Sequence, residues 1–228
     1  MKGIKKGLCD SLPIAAGYLP IAFAFGVAAV QAGLSPWLAT LVSGIVFAGG
    51  AQFVLISLLT AGGTVLTVAL TVLLINTRHL LYGHPIVELL GKGKRSFSPF
   101  FLAFGMTDEV FATAVSRMEG IESKNREHWY VGLQIGAYLS WVAGTILGAT
   151  IGSEVLARFP PLSDSLSFVL PAFFFSLLLS MKGRVLCSPT IAGALVTAGL
   201  LLYLSAAAAI PLGIVVGAFA GWWRRRGK

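Results

Sequence analysis

Residues 63–83 read GTVLTVALTVLLINTRHLLYG. A helix that crosses a bilayer needs about 20 predominantly apolar residues, and this stretch has that length. Its apolar and polar residues do not alternate as they must in a strand of a membrane barrel. The stretch ends in Arg78 and His79, and ionisable groups at membrane depth are costly and mark functional sites. It therefore predicts a membrane helix that brings polar groups to such a site.

The chain as a whole is also apolar. Mean hydropathy is +0.84, and only 11% of its 228 residues are charged, whereas a soluble domain carries about 25%. Lipid is therefore the expected solvent. Eight apolar stretches approach the length of a membrane helix: 11–32, 37–59, 63–83, 99–116, 129–152, 166–181, 189–206 and 210–223. We predict an all-α fold, a polytopic transmembrane helical bundle of about eight (seven or eight) membrane segments with Pro/Gly-interrupted helices.

The basic residues predict the topology, because Lys and Arg flank membrane helices on the cytoplasmic side. Three lysines lie in residues 1–10 and four basic residues in 224–228. An even number of crossings places both of these short termini in the cytoplasm, on either side of a single domain over 1–228. The basic cluster at 92–95 does not fit, because eight crossings place it outside. Either this loop is an exception or one neighbouring segment does not cross.

Several functional classes are excluded or disfavoured. Cys9 and Cys187 are too few for a disulfide framework or a metal site. The net charge of +8 is accounted for by topology, so no nucleic acid partner is expected. The chain has no nucleophile motif and no phosphate-binding glycine spacing, so we expect no catalytic residue, cofactor or metal, and no enzyme. The first apolar run resembles a signal peptide, but Asp10, Pro13 and Pro20 interrupt it, and a retained span is expected.

The end of the third stretch carries the first polar group, Asn76-Thr77-Arg78-His79. In one interpretation Arg78 reaches the lipid headgroups and His79 lies at the interface. In the other, Arg78 faces the interior and binds a carboxylate of the substrate, of Asp108 or of Glu109, since its planar fork suits a carboxylate. Asn76 would then add a hydrogen bond.

Asp108 and Glu109 are adjacent acids inside the apolar stretch 99–116. If the helix is continuous, they point about 100° apart. If it breaks near Gly105, Thr107 becomes the N-cap and both acids fall in the first turn, where the helix dipole stabilises negative charge. A polar helix start at this depth must be buried in protein or line a cavity. We expect at least one acid to hold a substrate ammonium or a coupling proton.

Prolines and glycines inside the apolar stretches form the third group. Unwound membrane helices supply N–H groups to a carboxylate and C=O groups to an ammonium; alternatively, these residues are simply common in membrane helices. We expect Arg78 and exposed N–H groups near Gly49 and Gly50 to hold the substrate carboxylate, and Gln52 to add a hydrogen bond. The expected helix-break and pocket residues are Gly17, Pro20, Phe23, Phe25, Pro171 and Phe173.

With these motifs the sequence resembles the AzlC family of branched-chain amino acid permeases, the large subunit of the LIV-E type exporters. The most specific blocks are RHLLYG at 78–83 and GMTDEVF at 105–111. The resemblance runs from the first apolar span to the last. Its further blocks are 10–14, 17–26, 47–53, 70–72 and 168–173.

The resemblance implies a bacterial inner-membrane protein that exports branched-chain amino acids with a small, separate AzlD-type membrane subunit. Valine, leucine, isoleucine and methionine are the expected substrates. Proton coupling is a hypothesis based on acids at membrane depth and on the lack of a nucleotide-binding segment. The alternative is a channel or scaffold subunit whose partner carries the transport activity.

Overall fold

A computed structural model describes residues 2–91, 95–159, 161, 187–204 and 206–226. It divides into two compact units, Met1–Leu170 and Pro171–Lys228. The described residues contain helices and turns and no strand, which confirms the all-α class. The stretch 166–181, with Pro171 and Phe173, lies outside the described residues.

The first unit contains nine α-helices and three short 3₁₀ turns among its described residues: Thr77–His79 between the fifth and the sixth helix, and Met118–Gly120 and Ser123–Asn125 between the eighth and the ninth. These helices are α1 (Lys2–Asp10), α2 (Leu12–Gln31), α3 (Pro36–Val46), α4 (Gly49–Thr60), α5 (Val65–Asn76), α6 (Leu80–Leu90), α7 (Pro99–Phe104), α8 (Asp108–Arg117) and α9 (Arg126–Arg158).

Three helical segments of the described chain are long and apolar enough to cross a membrane: Leu12–Gln31, Val65–Leu90 and Ser123–Arg158. The first and the last pack directly on each other. A Cβ atom at Gly148 would overlap the carbonyl oxygen of Phe23, and one at Gly26 would overlap that of Thr145. Small residues therefore let the backbones of α2 and α9 touch, as in many membrane helix pairs.

The helix break expected at Gly17 and Pro20 is not found, because α2 is continuous from Leu12 to Gln31. A proline inside a helix removes one backbone hydrogen bond. Here the close packing of α2 on α9 stabilises the helix on both sides of Pro20. The helix-breaking tendency of Gly17 and Pro20 is therefore weaker than the packing of α2 on α9.

The stretch 37–59 forms a re-entrant hairpin, hairpin 1, made of α3 and α4. Near its start, Ala39 lies in a buried cluster with Ala149, and near its end Ile56 lies in the same cluster. Between them, the ring of Phe47 lies 5.0 Å from that of Tyr138. Ala149 and Tyr138 are roughly 16 Å apart along α9, at about 1.5 Å per residue. The chain thus runs along α9 from Ala149 towards Tyr138, turns at Phe47 and returns to the Ala149 end of α9.

The stretch 99–116 forms hairpin 2, made of α7 and α8. The ring of Phe97 lies 5.4 Å from His128 at the start of α9, and Phe104 lies 5.7 Å from Tyr138 farther along it. The return segment α8 ends at Arg117, near where the hairpin began.

An ion pair and a hydrogen bond fix the end of hairpin 2. Arg117 Nη1 lies 2.8 Å from Asp10 Oδ1, and Trp129 Nε1 donates to Asp10 Oδ2 at 2.8 Å. Asp10 ends α1, and Trp129 lies in the first turn of α9. Hairpin 2 therefore begins and ends at the α1 end of the unit, and hairpin 1 at the opposite end.

This arrangement differs from one in which every apolar stretch crosses. Helices of 11 and 12 residues, at about 1.5 Å per residue, reach only partway through a hydrocarbon core of about 30 Å. Residue 95 of the basic cluster consequently lies at the α1 end, beside the region 117–128, which explains why that cluster did not fit eight crossings.

The second unit contains α10 (Cys187–Leu200) and α11 (Ala206–Arg226). The helices pack on each other, and a Cβ atom at Gly193 would lie 2.9 Å from the carbonyl oxygen of Gly213. Residues 201–204 form a turn between them. The last helix therefore begins four residues before the predicted stretch 210–223.

Candidate functional site where the two hairpins meet

The tip of hairpin 1 is a sharp break. Phe47 adopts a left-handed conformation with φ 38°, Ala48 is extended, and α4 begins at Gly49 without a side-chain cap. A Cβ atom at Gly49 would lie 2.6 Å from a ring carbon of Trp141, so glycine is required there. The first N–H groups of α4 thus lack a side-chain partner at the positive end of the helix dipole.

Gln52, in the first turns of α4, is fully buried. Its Oε1 accepts a hydrogen bond from Trp141 Nε1 at 2.9 Å, while its Nε2 has no partner. An indole N–H can only donate, so this bond fixes the orientation of the amide. Two uncommitted N–H donors are therefore held in a buried part of the protein.

At the tip of hairpin 2 the helix breaks near Gly105, the second of the two alternatives that the sequence left open. Helix α7 ends at Phe104, and Thr107 is the N-cap of α8, with its hydroxyl accepting from the Val110 N–H at 3.3 Å. Asp108 and Glu109 occupy the first turn, as this alternative predicts. The two neighbouring acids then differ in their partners.

Asp108 is paired on both oxygens. Arg78 Nη1 lies 2.8 Å from Oδ2, and the Tyr82 hydroxyl donates to Oδ1 at 2.5 Å. The Tyr82 ring stacks on Phe111 with centroids 4.4 Å apart. Arg78 thus binds one of the carboxylates that the sequence offered it, and its side chain is 33% exposed.

Glu109 has no cation within ion-pair distance in the described structure. The Tyr18 hydroxyl donates to its Oε2 at 2.5 Å and lies 2.7 Å from the Thr107 hydroxyl. The Tyr18 hydroxyl has a single proton, which its contacts with Glu109 Oε2 and with the Thr107 oxygen share. Glu109 Oε1 is buried and has no partner.

Aromatic side chains join the two tips. The ring of Phe47 lies 6.5 Å from Phe104 and 6.5 Å from Tyr18, and Tyr18 meets Trp141 edge-on at 5.0 Å. Tyr138 completes the group and donates to the Gly44 carbonyl oxygen at 3.0 Å. Sequence reasoning missed all five of these residues. The one available signal was that tyrosine and tryptophan carry a polar atom that must find a partner when buried.

The other predicted residues lie at different distances from the tips. Asn76 Oδ1, at the end of α5, is buried without a partner, and the His79 ring lies 5.7 Å from Tyr82. Phe25 packs on Phe53 in the buried cluster of Ala149, and Phe23 lies against α9. Among the described residues, no group of three or more His, Cys, Asp or Glu could hold a metal ion.

Comparison with known proteins decides the family. The model of the AzlC protein family matches residues 13–155, which include α2, both hairpins and most of α9. The chain belongs to the AzlC family. This match confirms the resemblance given by RHLLYG and GMTDEVF, since both motifs fall within it. No solved structure matches the chain.

Three relatives illustrate the family's range. Inner membrane protein YgaZ of Escherichia coli (strain K12) is 40% identical over 223 residues, which cover 95% of this chain and 86% of that protein. An uncharacterized membrane protein of Archaeoglobus fulgidus is 38% identical over 95% of this chain and 91% of its own length. The branched-chain amino acid transport protein AzlC of Bacillus subtilis is 29% identical over 72% of this chain and 62% of its own length.

Proposed function

We propose that this chain transports amino acids across the membrane and exports branched-chain and similar small apolar ones: valine, leucine, isoleucine and methionine. The observation that carries the proposal is that two hairpins meet through the rings of Phe47 and Phe104, and that each holds a buried polar atom without a partner near its tip, Gln52 Nε2 and Glu109 Oε1. Secondary transporters bind their substrates at such discontinuous helices near the middle of the membrane.

The unpaired atoms match the chemistry of a zwitterion. Gln52 Nε2 and the uncapped start of α4 at Gly49 and Gly50 offer donors to a carboxylate. Glu109 Oε1 and Asn76 Oδ1 offer acceptors to an ammonium. Buried polar atoms without partners are costly, and a bound zwitterion would pair both kinds.

The aromatic residues at the tips support an apolar side chain in the substrate. The rings of Phe47, Phe104 and Tyr138 would surround an aliphatic group. Such a pocket discriminates by only about 1–3 kcal/mol per methylene, so several branched or thioether side chains should pass. The name of the Bacillus subtilis relative, a branched-chain amino acid transport protein, supports the same substrate class.

The setting of the transporter is part of the proposal. We place the chain in a bacterial inner membrane as a single transport domain with both termini in the cytoplasm. The basic residues Lys5, Lys6, Arg95 and Arg117 share the α1 end of the first unit, which favours that end as cytoplasmic. Export would use the proton gradient and a small AzlD-type partner subunit.

Counterflow in vesicles tests the proposal. The full chain is reconstituted alone and with its partner, the vesicles are loaded with unlabelled leucine, and labelled leucine, valine, isoleucine or methionine is added outside. We expect labelled substrate to accumulate transiently. Replacing Gln52 by Leu, which removes the uncommitted donors, should abolish this accumulation while the protein remains folded. Absence of counterflow in all wild-type vesicles would overturn the proposal, and counterflow with the partner alone would favour the scaffold alternative.

A further inference from the structure

We propose that Glu109, and not its neighbour Asp108, is the acid of this site that binds positive charge during transport. That charge is either the ammonium of the substrate or a coupling proton. Tyr18 acts as its positioning residue. The inference rests on the proposed transport function and assigns one role within it.

Asp108 already has a partner on each carboxylate oxygen and a cation beside it. Its two carboxylate oxygens are bound by Arg78 and Tyr82 at 2.8 and 2.5 Å, and the Arg78 guanidinium neutralises its charge. A cation that approached Asp108 would have to displace Arg78. Breaking a partly buried ion pair leaves a guanidinium without a partner, which is strongly unfavourable.

Glu109 has the opposite environment. Three polar groups face it: Tyr18 from α2, Asp108 on its own helix, and Arg78 from the turn before α6, which already binds Asp108. Its Oε1 is buried without a partner. A carboxylate buried without a cation is costly, so a bound ammonium or an added proton removes that cost.

Tyr18 determines which oxygen is free. The Tyr18 hydroxyl donates to Glu109 Oε2 and lies 2.7 Å from the Thr107 hydroxyl, which in turn accepts from the Val110 N–H. The bond to Oε2 leaves Oε1 as the carboxylate oxygen without a partner. Because Tyr18 lies on the continuous helix α2 and Glu109 on hairpin 2, this bond also ties the hairpin to α2.

The experiment compares two matched pairs, Glu109→Gln with Tyr18→Phe and Asp108→Asn with Tyr82→Phe, in vesicles where wild-type leucine counterflow has been established. Three quantities are measured: the KM of leucine, its accumulation driven by an imposed pH gradient, and inhibition by 4-methylpentanoate, which is leucine without its amino group.

We expect Glu109→Gln to act in one of two ways, according to the source of the cation. If Glu109 binds the ammonium, the KM of leucine rises by about 10- to 100-fold, as for loss of a hydrogen bond to a charged group, and 4-methylpentanoate inhibits as well as leucine does. If Glu109 carries the proton, counterflow is retained and accumulation driven by the pH gradient is lost. Tyr18→Phe should shift the same quantity in the same direction, by less.

The control pair separates this role from a structural one. Asp108→Asn leaves Arg78 without its counterion, so we expect less folded protein. In the protein that does fold, we expect inhibition by 4-methylpentanoate relative to leucine, and accumulation driven by the pH gradient, to be as in wild type. The inference is overturned if Glu109→Gln leaves all three quantities unchanged, or if Asp108→Asn reproduces its effects. If Glu109→Gln does not fold, an unchanged Tyr18→Phe overturns it. Absence of wild-type counterflow would instead refute the proposed function.

Discussion

The α2–α9 pair and the two re-entrant hairpins use glycine in opposite ways. Along α2 and α9, Gly26 and Gly148 let two unbroken helices approach until backbone touches backbone. In the hairpins, Gly49 and Gly105 lie where helices break, and each faces a large side chain of α9, Trp141 and Gln134 respectively. The pair hides its backbone polar groups, whereas the hairpins leave some of theirs available.

This difference assigns separate tasks to the two regions. The α2–α9 pair satisfies its hydrogen bonds within each helix, as a membrane requires, and gains stability from packing. The hairpin tips give up some of those bonds and depend on α9 to replace them. For example, Gln134 Nε2 donates at 2.7 Å to the Leu102 carbonyl oxygen near the end of α7.

The largest effect is expected from a methyl group added between α2 and α9. Gly148→Ala places Cβ onto the Phe23 carbonyl oxygen, so the helices must separate, at a cost of about 3 kcal/mol or more, the upper end for overpacking. We expect little folded protein, measured by size-exclusion chromatography and thermal unfolding in detergent. Gly17→Ala on α2 is the control, because nothing lies within 4 Å of its added Cβ. Equal unfolding temperatures for the two variants would contradict the close approach.

A smaller effect is expected where α9 supports hairpin 1. Trp141→Phe removes the donor to Gln52 Oε1 and leaves a buried acceptor unpaired, which costs about 1–3 kcal/mol. Adding Gln52→Leu removes the unpaired amide altogether, so we expect the unfolding temperature to recover in part, because the smaller ring still leaves a cavity.

Transport should not recover in that double variant, because the uncommitted amide donors are also gone. Thermal unfolding and leucine counterflow, measured on the same preparations, check both statements. A double variant that transports at the wild-type rate would show that Gln52 only fills space beside Trp141.

Sequence alone offered the local features, each as one of two alternatives. The break before Thr107 follows from a glycine and an N-cap residue within a few positions, and the pairing of Arg78 with an acid follows from the cost of isolated charge in lipid. By contrast, Pro20 carries an equally local breaker signal and does not break α2. Packing against α9 is stronger there than the loss of one hydrogen bond.

The re-entrant hairpins and the aromatic group could not be predicted from the sequence, for a different reason. Whether a broken helix continues across the membrane or returns depends on contacts with α9, such as Phe47 and Phe104 with Tyr138, which lie far apart in sequence. The bond that distinguishes the two acids joins Tyr18 and Glu109, which are 91 positions apart. A single sequence contains no pattern that links two residues so far apart, because local periodicity and capping motifs span only a few positions.

The smallest effect is also the sharpest test of what a hairpin tip does. Ser35 and Thr107 are both N-caps, and their hydroxyl oxygens accept from the backbone N–H of Leu38 at 3.2 Å and of Val110 at 3.3 Å. Ser35→Ala and Thr107→Val should each cost about 1 kcal/mol, as for loss of an N-cap. Only Thr107 also bonds to Tyr18, at 2.7 Å. We therefore expect similar small drops in unfolding temperature, but a change in leucine counterflow in Thr107→Val alone. If both variants transport alike, the Thr107 hydroxyl is a helix cap and has no part in positioning Glu109.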